Sequence, residues 1–166
     1  MTPDPFGLRG DGASATLPYR RLILLLVVMG AIGLLAELAL IEHFEDPWQW
    51  APLVALALTV VTATMVGVRP APGTLRAFQV VMVACVVFGA IGVVLHLKGN
   101  LEFELEGAPD MRGWPLYREV LKGATPALAP GALAQLGLLG LLYTLRHPAG
   151  RPPAISRVDS PTQEHS

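Results

Sequence analysis

Two histidines and a group of acids are the side chains of this sequence best suited to bind a metal ion. One histidine lies in the segment EHFED at the end of an apolar run, and the other ends a second apolar run shortly before the acidic segment LEFELE. Imidazole and carboxylate ligands together suit zinc, manganese or iron. The predicted divalent-metal site comprises His43, His96, Glu42, Asp46, Glu102 and Glu104.

This site would have to be assembled between helices. No HExxH motif is present, and Glu42 and His43 are adjacent, so on a helix they would point about 100° apart. The prediction therefore needs Gly99 and Asn100 to turn the chain, which would fold the following acids back over the bundle. The alternative is that the acids and histidines are solvated at a wet interface. Haem held by His43 and His96 is a weaker alternative cofactor, because a single histidine pair arises easily by chance.

Glu37 lies inside the first apolar run, and Gln135 lies inside the last one. Acids at membrane depth are costly and usually face a bundle interior or a polar partner. We therefore expect Glu37 to face the bundle and to be protonated or paired with Gln135. Its role is either the handling of ions or protons, or helix packing alone.

The elements that position these residues are predicted membrane helices. The chain has 166 residues, of which 52% are hydrophobic and 15% are charged, whereas a soluble domain carries about a quarter charged residues. Four apolar stretches approach the ~20 residues that a helix needs to cross a bilayer, and they cover residues 22–41, 51–68, 78–97 and 126–145. The predicted fold is an all-α membrane protein, a four-helix bundle with a longer outer loop between the third and fourth helices.

This membrane domain covers residues 20–147, and the polar, proline-rich stretches 1–19 and 148–166 are predicted to be flexible cytoplasmic tails. With four spans, eight basic residues lie on the side of the tails and four on the other side. The positive-inside rule then predicts that both termini are cytoplasmic, and the composition predicts the bacterial inner membrane. In the outer loop, residues 101–106 alternate as a short strand would, and residues 114–122 are predicted to form an amphipathic helix on the membrane surface.

Several function classes are excluded by missing motifs. The sequence has no phosphate-binding loop, nucleophile elbow, dinucleotide-binding fingerprint or EF-hand, and its net charge of −1 does not indicate nucleic-acid binding. Glycines recur in pairs inside three spans and are interpreted as packing sites, as is the single cysteine, Cys85. The sequence therefore favours a non-enzymatic accessory or assembly protein that docks a membrane or periplasmic protein, or forms a homo-oligomer. A metal- or haem-binding membrane protein is the alternative.

Overall fold

The computed structural model describes residues 12–123, 129–145 and 147–150. This part of the chain is helical and contains no strand. Its five α-helices are α1 (Gly12–Leu40), α2 (Trp50–Val68), α3 (Pro72–Gly107), α4 (Gly113–Lys122) and α5 (Ala129–Thr144). Two short 3₁₀ turns, Pro47–Gln49 and Pro148–Gly150, precede α2 and follow α5.

Three of these helices are long and apolar enough to cross a membrane. The candidate spans lie in Tyr19–Leu40 of α1, in Pro47–Val68, which is α2 with the 3₁₀ turn before it, and in α3, whose 36 residues exceed the ~20 that one crossing needs. The apolar stretch Pro130–Thr144 of α5 is shorter. The predicted start of the fourth span at residue 126 lies outside the described residues. The first helix begins at Gly12, well inside the stretch 1–19 that was predicted to be a flexible tail.

The four apolar helices form a ring. α1 packs against α2 and α5, and α3 packs against α2 and α5. The interior of the ring is apolar, and its largest fully buried side chains include Phe78, Leu56, Met82, Val27 and Val66. Large apolar side chains also cover the outside of the ring, as is expected where a surface faces lipid rather than water.

Glycine brings α3 and α5 into close contact. A Cβ atom on Gly89 would lie 2.5 Å from the backbone nitrogen of Ala134, and one on Gly137 would lie 2.5 Å from the carbonyl oxygen of Met82. Backbone atoms cannot move aside as flexible side chains can, so these positions need glycine. Gly33 is different, because no atom lies within 4 Å of the Cβ that it would carry.

At one end of the ring, which we name the basic end, the start of α1 is tied to the end of α5. The guanidinium of Arg20 donates hydrogen bonds to the carbonyl oxygens of Tyr143 at 2.8 Å and of Leu145 at 3.0 Å. These carbonyls belong to the last turn of a helix, where a cation also interacts favourably with the helix dipole. The opposite end, named the acidic end, carries residues 41–50 and 98–123.

The predicted strand at residues 101–106 is wrong, because α3 continues without interruption to Gly107. Leucine and glutamate are strong helix formers, and Lys98 pairs with Glu102 one turn later at 3.5 Å. Alternation of apolar and acidic residues was therefore too short a pattern to outweigh helix propensity. The predicted chain reversal at Gly99 and Asn100 is also wrong, because α3 runs through both residues and Asn100 is held by a hydrogen bond to α4.

The end of α3 and all of α4 form a helical hairpin, residues 98–123, that we name the projecting hairpin. Asn100 is buried there, and its Nδ2 donates a hydrogen bond to the carbonyl oxygen of Val120 at 3.0 Å. Gly123 also contacts the Asn100 side chain so closely that a Cβ would overlap it. Residues 108–112 connect the other ends of the two helices, so α4 runs antiparallel to α3.

Candidate functional site

The acidic end begins with a helix stop that fixes the position of His43. Glu42 has φ of 55°, and its N–H donates to the carbonyl of Ala39 at 3.2 Å, while the N–H of His43 donates to the carbonyl of Leu38 at 2.9 Å. This pair of hydrogen bonds is the Schellman motif, in which the left-handed position is usually glycine. The backbone of His43 is therefore held against the last turn of α1.

The loop after His43 is ordered by one glutamine. The Oε1 atom of Gln49 accepts hydrogen bonds from the N–H groups of Glu45 at 2.8 Å and Asp46 at 3.2 Å. The rings of Phe44 and Trp50 lie 6.4 Å apart between centroids, which adds an aromatic contact across the same loop. The side chains of Glu45 and Asp46 stay exposed.

His43 and His96 are close enough for their charges to interact, and both side chains are half-buried. Burial lowers the pKa of His43, and the positive charge of His96 lowers that pKa further. The Nδ1 atom of His96 is buried and has no hydrogen-bond partner within the part of the chain that the structure describes. Buried polar atoms are nearly always hydrogen-bonded, so this nitrogen, close to the acidic end, is a polar atom that the described structure leaves unexplained.

The acids of the predicted metal set do not join the two histidines as one group. Glu42, Asp46 and Glu102 are exposed, and Glu102 pairs with Lys98 instead. Among residues 12–123, 129–145 and 147–150, no three histidine, cysteine, aspartate or glutamate side chains are grouped so that they could hold a metal ion. The helical continuation of α3 explains this, because it leads Glu102 and Glu104 away from the ring rather than back over it.

The expectation that Glu37 faces the bundle is wrong for the single chain, because both Glu37 and Gln135 are exposed. The interior face of α1 is taken by Val27 and Ala31. Contacts of Arg20 with Tyr143, and of Gly30 with Leu136, show that α1 and α5 run antiparallel. Extending that register places Glu37 level with about Pro130, more than one turn from Gln135.

The projecting hairpin carries exposed aromatic residues on α4, the helix that the sequence predicts to lie on the membrane surface. Trp114, Tyr117 and Leu121 recur at helical spacing on one face of α4, which we name the aromatic face, and Trp114 and Tyr117 are 74% and 66% exposed. Val120, on another face, is the residue of α4 that is buried.

The end of α3 that carries α4 extends well beyond the level at which α2 begins. The Thr59 Oγ1 and Cys85 Sγ atoms are 3.4 Å apart, so Trp50 at the start of α2 lies level with about Val94 of the antiparallel α3. Helix α3 ends at Gly107, about 20 Å further along at ~1.5 Å per residue. The sequence predicted the helix α4 correctly but not its pairing with α3. The helix propensity of leucine and glutamate in residues 101–106 was a signal for the continuation of α3, but the pairing itself has no local sequence signal.

Comparison of the chain with protein-family models, with curated proteins and with solved structures gave no match.

Proposed function

We propose that this chain is an integral membrane protein with four spans, both termini in the cytoplasm, in the bacterial inner membrane. Helix α5 is the fourth span in this proposal, and its packing along the apolar half of α3 supports that role. The distribution of basic residues supports the orientation, because eight lie on the side of the tails and four on the side of the projecting hairpin. The hairpin would then stand outside the cytoplasm.

The proposed function is that of a non-enzymatic accessory or assembly protein, whose projecting hairpin docks another membrane or periplasmic protein. The observation that carries this proposal is the aromatic face of α4, because Trp114, Tyr117 and Leu121 are exposed on a helix that packs on the end of α3 beyond the start of α2. Exposed apolar patches on a soluble surface mark interaction sites, and tyrosine and tryptophan are enriched at protein interfaces.

The charges around the aromatic face indicate what kind of partner surface would bind there. The described acidic end contains eight acids and four basic residues, and Glu106 and Asp110 make no ion pair there. A partner surface with an apolar centre and a lysine- or arginine-bearing rim would complement this hairpin. Such a rim would make the interaction weaken as salt is added.

Site-specific photo-crosslinking in native membranes tests this function. A photoreactive residue at Tyr117 should give one discrete protein adduct, whereas the same residue at exposed Arg112 should give little. The combination with Trp114→Ser should remove the adduct without changing the amount of protein in the membrane. Equal adducts from both positions, or lipid adducts alone, would contradict docking through the aromatic face.

A second candidate function is binding of a divalent metal ion at His43 and His96. The observation that favours it is the buried Nδ1 atom of His96, which has no hydrogen-bond partner among the described residues, together with the electrostatic interaction of His96 with His43. Zinc usually takes four ligands, so two would have to come from elsewhere, such as water, a second copy or a partner. Elemental analysis should then show metal in the wild type and a loss in His43→Ala with His96→Ala. Equal metal content rejects this candidate, and the absorption spectrum of the same sample tests haem.

A further inference from the structure

An open apolar groove of about 470 Å³ runs between α2 and α3 on the outside of the ring. Alanines leave the space, because Ala51 and Ala55 on α2 and Ala84 on α3 line it where larger side chains line the rest. Along α2 the groove extends from Trp50 to Leu58, which is about 12 Å at ~1.5 Å per residue.

The groove is deep enough to pass through one bilayer leaflet. Trp50 lies level with about Val94, so Val80, the α3 residue at the far end of the groove, lies about 21 Å from the mouth, whereas half of a ~30 Å hydrocarbon core is ~15 Å. Its floor and walls are alanine, valine, leucine and phenylalanine side chains that offer no hydrogen bond. An extended hydrocarbon chain matches both the length and the chemistry of this space.

The residues around the mouth of the groove are of the types that bind a positively charged headgroup. Pro47 and the indole of Trp48, which is 87% exposed, form the mouth, and the exposed carboxylates of Glu45 and Asp46 precede them directly in the chain. The segment 41–50 contains no lysine or arginine. Carboxylates attract an ammonium group, and an indole face binds a cation by a cation–π interaction.

We infer that the groove binds one acyl chain of a membrane lipid whose headgroup carries an ammonium group, held by Glu45, Asp46 and Trp48. A lipid with a purely anionic headgroup would meet two carboxylates at this mouth, and Lys98, the basic residue of α3 at a similar level, is paired with Glu102 at 3.5 Å. The expected preference for the ammonium lipid is about fivefold, the size of one exposed cation–π contact added to one exposed ion pair.

Native mass spectrometry of the purified full chain tests this inference with two probes, an ethanolamine lipid and a glycerol lipid that have the same acyl chains. Wild type should retain one ethanolamine lipid in preference. Ala84→Phe fills the groove and should lose most of the bound lipid, whereas Ala90→Phe, at an exposed position of α3 outside the groove, should keep it. Ala84→Leu, which adds less volume, should lose part of it and serves if the phenylalanine variant does not fold.

The headgroup assignment is tested separately. Glu45→Gln with Asp46→Asn should keep the bound lipid and lose the headgroup preference. An unchanged preference in that variant, or equal lipid retention in Ala84→Phe and Ala90→Phe, overturns the inference. A lipid-free wild-type dimer that Ala84→Phe dissociates would also overturn it, because a second copy of the chain would then fill the groove.

Discussion

Glycine positions in the spans are not equivalent, although their sequence pattern is the same. Gly89 meets the backbone of Ala134, while Gly33 faces open space. We expect Gly89→Ala to destabilise the bundle by roughly 1–3 kcal/mol, because the added methyl group must push α3 and α5 apart. Gly33→Ala is the matched control and should be neutral or stabilising by up to about 1 kcal/mol, because alanine has the higher helix propensity. Unfolding in detergent measures both, and equal effects would contradict the packing of α3 on α5.

Asn100 and Gly123 hold the projecting hairpin together, so substitutions at the two positions should not have additive effects on its stability. Asn100→Ala leaves the carbonyl of Val120 without its donor, which we expect to cost roughly 1–3 kcal/mol. Gly123→Ala should loosen α4 because its methyl group overlaps the Asn100 side chain, and the double variant should cost less than the two single effects added together.

Amide hydrogen exchange of residues 113–122 measures this coupling. Gly107→Ala is the control, because its Cβ would meet no atom within 4 Å and should leave α4 protected. Strict additivity of the two substitutions would show that Asn100 and Gly123 do not share one contact.

His147 gives the basic end a dependence on pH. Burial lowers the pKa of His147, and the charge of Arg20 lowers it further, while its Nδ1 accepts a hydrogen bond from the N–H of Ala149 at 3.2 Å. The folded state therefore binds a proton less readily than the unfolded state, whose histidine has a pKa near ~6.5. Stability is full above that value and falls as the pH drops through it toward the folded pKa.

His147→Asn should reduce this loss of stability at low pH, because asparagine can still accept the hydrogen bond from the N–H of Ala149 but does not take up a proton. Thermal unfolding from pH 7.5 to pH 5 in detergent compares the variant with wild type. His43 has its pKa lowered as well, so part of the slope should remain. If the thermal stability of His147→Asn depends on pH as it does in the wild type, protonation of His147 does not affect the stability of the fold.

At the scale of single residues, the sequence indicated where chemistry concentrates but not how side chains point. The prediction that His43 and His96 lie at the same end follows from two apolar runs of similar length. The direction of Glu37 depends on the rotation of α1, which neighbouring helices decide, and an almost wholly apolar run does not encode that rotation. The left-handed backbone of Glu42 is also invisible in sequence, because glycine is the residue that usually marks it.

At the scale of elements, the start of the second span was predicted closely, because Pro47 begins the 3₁₀ turn before α2. The third span was predicted to begin at residue 78, whereas α3 begins at Pro72, since proline fits the first position of a helix. Towards its other end, α3 continues through Gly99 and Asn100 because the buried Asn100 side chain hydrogen-bonds to Val120 of α4, a residue 20 positions away in the sequence. Local propensity alone cannot reveal such a contact.

The position of α4 relative to the bilayer is testable with the three tryptophans. A protein that retains Trp114 alone (Trp48→Phe with Trp50→Phe) is compared with one that retains Trp50 alone (Trp48→Phe with Trp114→Phe). Lipids with quenchers on their acyl chains should quench Trp50 strongly and Trp114 weakly, because the projecting hairpin leads away from the membrane. Equal quenching would mean that α4 lies on the membrane surface, as the amphipathic pattern first suggested.

At the scale of the whole molecule, hydrophobicity predicted an all-helical membrane protein, and three helices long enough to span a membrane agree with it. The ring order of the helices was not predictable, since apolar spans of similar composition can pack in several orders. The close glycine contacts of α3 with α5 are what set the order here. The fourth span stays a prediction that depends on α5.

The central claim is that the chain crosses the membrane four times with the projecting hairpin outside, and thiol labelling in intact cells tests it most directly. With Cys85 replaced by alanine, single cysteines are introduced as Gly107→Cys, Gly73→Cys and Gln163→Cys, the first two at glycines with open space around them. A membrane-impermeant reagent should label only Gly107→Cys, and all three after the membrane is permeabilised. Labelling of Gln163→Cys together with Gly107→Cys in intact cells would mean that the chain has three spans. Labelling of Gly73→Cys would mean that its orientation is the opposite of the one proposed. Either result contradicts the account.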